Sequence, residues 1–108
     1  SSGLAFSPIA MMPVYCATKA ALHSYSISLR HQLKGTSVSV FEIAPPMVDT
    51  ELDKGARIKR GLTHMGMSVN ECIELAMTAI ETNTFEAALG DSANMRSKRE
   101  ELFPFMNR

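Results

Sequence analysis

Tyr15 and Lys19 stand four residues apart in Val14-Tyr15-Cys16-Ala17-Thr18-Lys19-Ala20-Ala21, a segment that reads as helix. Four residues make about one helical turn, so the phenol and the ammonium emerge on one face. Stepping on by three or four along that face reaches Leu22, Ser26, Leu29 and Leu33, so it is apolar except at its start. The chemistry of such a pair can be sized. A free phenol has a pKa of about 10 and is ionised at pH 7 to roughly one part in a thousand. An ammonium about 4–5 Å away, at an effective dielectric near 20, favours the phenolate by roughly 3–4 kcal/mol, or about two to three pKa units. A phenol so tuned can give a proton to a developing alkoxide or take one from an alcohol. The pair alone also suits an exposed Tyr and Lys that share a turn and snorkel past the core edge.

Further residues narrow the choice. Ser2 lies thirteen positions before Tyr15, and Pro45-Pro46-Met47-Val48-Asp49-Thr50 begins thirty positions after it. With these residues in this order, the chain resembles the short-chain dehydrogenase/reductase family. That family's signature is a Ser, then Tyr-x-x-x-Lys, then a Pro-Gly-x-Val-x-Thr-like loop. Tyr-x-x-x-Lys alone is a weak signal; the conjunction, with room for a helix and a strand in between, is specific.

The resemblance implies an α/β fold, the C-terminal part of a Rossmann-like doubly wound parallel sheet. It implies an oxidoreductase that uses NAD or NADP to interconvert an alcohol and a carbonyl. Tyr15 would exchange the proton with the substrate oxygen, Lys19 would favour the phenolate and hold the nicotinamide ribose, and Ser2 would hydrogen-bond the substrate oxygen. The implied cofactor-binding residues are Tyr15, Lys19, Pro45, Val48 and Thr50, the loop acting through main-chain atoms near Val48 and through the Thr50 hydroxyl. Pro46 stands where the family usually has glycine; proline fixes φ and lacks an N–H, so no contact needing a donor or a positive φ can form there.

A chain of 108 residues is long enough for one small domain. It opens, however, on Ser1-Ser2-Gly3, with the first catalytic candidate at its second residue. In the resembled family the cofactor half precedes this point, with a glycine-rich turn, a ribose selector and a further catalytic Asn. No G-x-G-x-x-G occurs here. Residues 1–108 are therefore expected to be the C-terminal catalytic portion of a single Rossmann-like domain, without its N-terminal half and inactive alone. The selection between NAD and NADP belongs to that half.

Composition bounds the partners. Eleven basic and eleven acidic residues cancel, which leaves no electrostatic case for nucleic acid or a membrane surface. No apolar run approaches the roughly 20 residues that span a bilayer, and no signal-peptide pattern is visible, so cytoplasmic location is the default expectation. Cys16 and Cys72 fall among apolar neighbours and read as small buried hydrophobes in a reducing compartment. His23 and His31 lack a Cys, Asp or Glu at ligand spacing on their helix face, so they read as surface or interface residues; no metal site is expected. His64 has no visible base or nucleophile partner.

The elements that must position these residues follow in order. Residues 4–13 carry Pro8 and Pro13 and read as a loop, which the resemblance makes a wall of the substrate pocket. Pro13 suits a first helical turn, and the helix runs over 13–34, with Lys34 at its negative end and Gly35 as its stop. Its second face, Val14, Ala21, Tyr25 and Ser28, admits close approach of another helix; the resemblance implies a homo-oligomer through this helix. Residues 38–44 read as a strand, and the strand–helix–strand order implies a parallel crossover. Ligands bind beyond the carboxyl ends of such strands, where residues 45–50 lie.

Residues 51–67 begin helically and turn irregular. Lys54, Arg57, Lys59 and Arg60 form a solvated basic face, and Met47, Met65 and Met67 suggest a mobile substrate lid. Ser68-Val69-Asn70-Glu71 is a capping box opening a helix to about Glu81, with Val69, Cys72, Ile73, Ala76, Met77 and Ile80 as its core stripe. Residues 85–89 can form a last strand, and a final helix runs from Gly90-Asp91-Ser92 to about Phe103, broken at Pro104. Two other readings remain open here. One is a nucleotide-sugar epimerase or dehydratase, for which little chain follows Tyr15; the other is a non-catalytic module whose helix serves assembly alone.

Overall fold

The computed structural model describes residues 1–49 and 66–108. Thr50 and most of the expected lid, with Lys54, Arg57, Lys59, Arg60, His64 and Met65, lie outside the described residues. The described elements are α1 (Pro13–Gln32), β1 (Glu42–Ala44), α2 (Val69–Glu81), β2 (Glu86–Ala88), α3 (Ser92–Lys98) and α4 (Phe103–Met106). Short 3-10 turns at Gly3–Ala5 and Arg99–Leu102 complete the order. Among the described residues no helix is long and apolar enough to cross a membrane.

The fold is α/β with a small parallel sheet: Glu42 faces Glu86, Ile43 faces Ala87 and Ala44 faces Ala88. Glu42 N–H donates to the Phe85 carbonyl at 2.8 Å and Leu89 N–H to the Ala44 carbonyl at 2.9 Å, so residues 42 and 44 point their backbone groups toward β2. Backbone groups alternate along a parallel strand, which turns Ile43 to the opposite edge. There the Ser1 nitrogen donates to the Ile43 carbonyl at 2.8 Å.

β1 is shorter than the expected 38–44. The exit of α2 holds its partner back: Thr84 N–H returns to the Ala79 carbonyl at 2.8 Å across Asn83, whose φ is +56°. β2 therefore begins only at Glu86, and residues 38–41 find no ladder. Arg30 takes over instead, its Nε donating to the Val40 carbonyl and its Nη2 to the Phe85 carbonyl, each at 3.0 Å.

α1 starts on Pro13, where the missing N–H has no helical partner to lose. It stops at Gln32, with Gly35 at φ +85° just beyond. Its inward face is rotated from the expected stripe. Cys16 and Ser26 are buried and Lys19, His23, Leu29, Arg30 and Leu33 half-buried, whereas Leu22 is 44% exposed. The surface beneath presents carboxylates and strand-end carbonyls, which engage His23 and Arg30 and give Leu22 nothing to pack on.

α2 begins at the capping box, the Ser68 Oγ accepting from Glu71 N–H at 3.1 Å. Of the expected stripe only Cys72 and Ala76 pack on the core; Ala79 joins them, while Ile73 is 54% and Met77 49% exposed. The sheet offers Ala87, Leu89 and Ile43, and its small side chains admit the helix by its small-residue side. α3 ends at Lys98, earlier than expected, where Arg99 adopts φ +52°. The buried Ser7 Oγ reaches the Met95 and Arg99 carbonyls at 3.0 and 2.8 Å, and Pro104 sits in the first turn of α4 instead of breaking a helix.

Candidate functional site

Ser2 has extended backbone and caps the 3-10 turn, its Oγ accepting from Leu4 N–H at 3.1 Å. That bond uses a lone pair and leaves the hydroxyl proton free; among the described residues it has no acceptor. The turn packs on α1 and α3. At Gly3 a Cβ would fall 2.5 Å from the Ser92 Oγ and 2.6 Å from the Met95 Sδ, so only glycine lets α3 come this close behind Ser2. The following loop is tied down as well. Ala10 N–H donates to the Asn107 Oδ1 at 2.6 Å, the Asn107 Nδ2 donates to the Pro8 carbonyl at 3.2 Å, and Ile9 N–H meets the Cys16 Sγ at 3.5 Å.

Tyr15 and Lys19 share a face, as their spacing predicts, with the Lys19 Nζ 5.3 Å from the centre of the Tyr15 ring. Lys19 is half-buried and Tyr15 is 40% exposed. Among the described residues the Tyr15 hydroxyl makes no hydrogen bond and Lys19 meets no carboxylate. The turn that Ser2 caps packs on the helix that carries Tyr15 and Lys19.

The loop after β1 is clamped from two sides. The Ser92 Oγ donates to the Pro45 carbonyl at 3.0 Å. Met67 N–H donates to the Met47 carbonyl and Asp49 N–H to the Met67 carbonyl, both at 2.8 Å, a parallel bridge centred on Val48. Gly66 allows it: its φ is +82° and an added Cβ would lie 2.1 Å from the Met47 carbonyl oxygen. By alternation the Val48 N–H and C=O face away from Met67, and among the described residues they have no partner. Thr50 lies just outside the described residues.

His23 does not stand where the sequence reading puts it. It is half-buried, its Nδ1 lying 2.7 Å from the Glu42 Oε1 and 3.6 Å from the Glu86 Oε1. Glu42 is 3% exposed, and its second oxygen accepts from the Ser1 Oγ at 2.7 Å. Glu86 is paired in turn with Arg96. The Phe6 ring meets the His23 ring edge-on, 4.8 Å between centres. One possible ligand atom from each of His23, Glu42 and Glu86 lies within 4.8 Å of the others, yet donors of the protein already engage both carboxylates. The acids come from β1 and β2, so spacing along the helix could not find them. The available signal was Glu42 itself, which alternates in phase with Val40 and Ala44.

A family model described as short chain dehydrogenase matches residues 1–61. The uncharacterized oxidoreductase DltE of Bacillus subtilis is 49% identical over 113 residues, covering 99% of this chain and 44% of that protein. An uncharacterized oxidoreductase of Staphylococcus epidermidis is 34% identical over 73 residues, covering 68% of this chain and 32% of that protein. The chain spans less than half the length of these curated relatives. No solved structure shows a significant match.

Proposed function

This chain belongs to the short-chain dehydrogenase family, and from that premise we propose that it is the C-terminal catalytic portion of an NAD(P)-dependent oxidoreductase interconverting an alcohol and a carbonyl. The observation that carries this reading is the Lys19 ammonium, 5.3 Å from the centre of the Tyr15 ring and, among the described residues, without a carboxylate to neutralise it. In the reducing direction the Tyr15 hydroxyl gives its proton to the substrate oxygen as charge develops there, and the nearby cation stabilises the phenolate left behind. The Ser2 hydroxyl, whose proton meets no acceptor among the described residues, donates to the same oxygen and orients it. Oxidation of an alcohol reverses these steps, with the phenolate as base.

The nicotinamide cofactor, when bound, supplies or accepts the hydride. The residues present fit such a group. Lys19 has N–H donors to offer ribose hydroxyls, and Val48 presents a main-chain N–H and C=O without partners among the described residues beyond the end of β1, where parallel sheets bind ligands. Pro45 precedes that position, and Pro46 contributes no donor; Thr50 keeps the cofactor role that the family signature gives it. The relatives carry the name oxidoreductase, which supports this class over the epimerase or dehydratase reading. The rest of a doubly wound sheet, with the NAD or NADP selector, belongs to the N-terminal half of the proposed full-length protein, which we assign to the cytoplasm. The outward face of α1, with Val14 75% and Tyr25 61% exposed, supports a homo-oligomer through that helix.

In the full-length protein, Tyr15→Phe should lower NADH- or NADPH-dependent turnover of a carbonyl probe such as 4-nitrobenzaldehyde by about a hundred- to ten-thousand-fold. Cofactor affinity should stay within about twofold, because the phenol acts on the substrate oxygen. Retained turnover refutes the proton role. The 108-residue chain alone should leave nicotinamide fluorescence unchanged.

A further inference from the structure

The Glu42 carboxylate is 3% exposed, and each of its oxygens is held by a different part of the chain. Oε1 meets the His23 Nδ1 at 2.7 Å, on the helix that carries Tyr15 and Lys19. Oε2 accepts from the Ser1 Oγ at 2.7 Å, one residue before Ser2. The Ser1 nitrogen is anchored to the neighbouring Ile43 carbonyl, a bond that a peptide N–H would make equally well. On its other side His23 packs edge-on against Phe6, where the Ser2-capped turn ends.

Stability does not explain a carboxylate in this place. Burying one costs several kcal/mol, and apolar residues of similar volume are often neutral or better. What the arrangement supplies is direction. A carboxylate accepts in two defined directions, and here they run to the two elements that the proposed reaction must hold in register.

We propose that Glu42 is a positioning residue, which through Ser1 and His23 holds the Ser2 turn at a fixed place beside the Tyr15–Lys19 turn of α1. The inference rests on the oxidoreductase reading and adds a residue that touches neither substrate nor cofactor. Catalysis is sensitive to displacements of about 1 Å between reacting groups, so freeing the turn lowers turnover and leaves binding at Val48 and Lys19 untouched.

The test compares variants of the full-length protein, using NADH and NADPH with 4-nitrobenzaldehyde. Glu42→Met removes both bonds and should lower kcat at least about tenfold, with the cofactor KM within about threefold. Glu42→Gln keeps an amide that can bond both the Ser1 hydroxyl and the imidazole, and should return kcat to within about threefold of the parent. Ser1→Ala, which deletes only a small hydroxyl, should fall between the two and remains informative if Glu42→Met folds poorly. Amide hydrogen exchange gives a readout independent of activity: exchange at Leu4 and Phe6 should quicken in Glu42→Met and Ser1→Ala and stay slow in Glu42→Gln. Parental turnover in both Glu42→Met and Ser1→Ala, a Gln variant as slow as the Met variant, or unchanged exchange at Leu4 and Phe6 overturns the proposal. Turnover retained in Tyr15→Phe, with the exchange pattern intact, refutes the proton role of Tyr15 and leaves the positioning role standing; a parent protein without NADH- or NADPH-dependent turnover, its exchange pattern intact, fails the oxidoreductase reading instead.

Discussion

The two faces of the β1–β2 pair are built from opposite materials. On the face toward α2, Ile43, Ala87 and Leu89 meet Cys72, Ala76 and Ala79, with no charged group among them. On the face toward α1, the paired Glu42 and Glu86 meet His23, with Ser1 and Arg96 completing the set. Apolar contact is non-directional and depends on area removed from water, so the α2 face contributes stability and tolerates many arrangements. The α1 face is directional, both Glu42 oxygens and the Glu86 Oε2 being matched to donors from particular elements. The two-layer architecture thus separates an apolar contact with α2 from a polar one that ties Ser1 and the helix of Tyr15 and Lys19 to the same carboxylate.

The sharpest way to break that comparison is His23→Leu, which leaves the Glu42 carboxylate buried without its imidazole partner. Urea denaturation of the full-length protein should show a loss of about 3–5 kcal/mol. The double variant His23→Leu/Glu42→Met, apolar on both sides, should recover to within about 1 kcal/mol of the parent; if it stays as low as the single variant, the polar face contributes stability after all. Next in size, Leu89→Ala on the apolar face should cost about 2–4 kcal/mol by the same measurement, with turnover per folded molecule unchanged. Smallest, Ser68→Ala removes the bond to Glu71 N–H at the start of α2 and should cost about 1 kcal/mol, without reaching the α1 face.

Local rules made much of this legible. The capping box at Ser68, proline at the start of α1, glycine after its end and the one-turn spacing of Tyr15 and Lys19 each express a preference settled within a few residues. The elements therefore fall close to their expected places. Readings that needed a partner were the ones that shifted. β1 shortened because the exit of α2 delayed β2, and the core stripe of α2 moved toward Ala79 because the facing strands carry small residues. Leu22 was taken for core and His23 for surface, since helical periodicity names a face without saying what lies beneath it.

By itself the sequence determined the class of fold, the family, and the pairing of a phenol with a cation on one helical turn, because spacing and side-chain chemistry are properties of the chain alone. Tertiary structure decided which acids meet His23, and that Glu42 joins the helix of Tyr15 to Ser1, next to the turn that Ser2 caps. Those contacts link residues 19 and 41 positions apart, and contacts at that range exist only once β1 has been laid between the two partners.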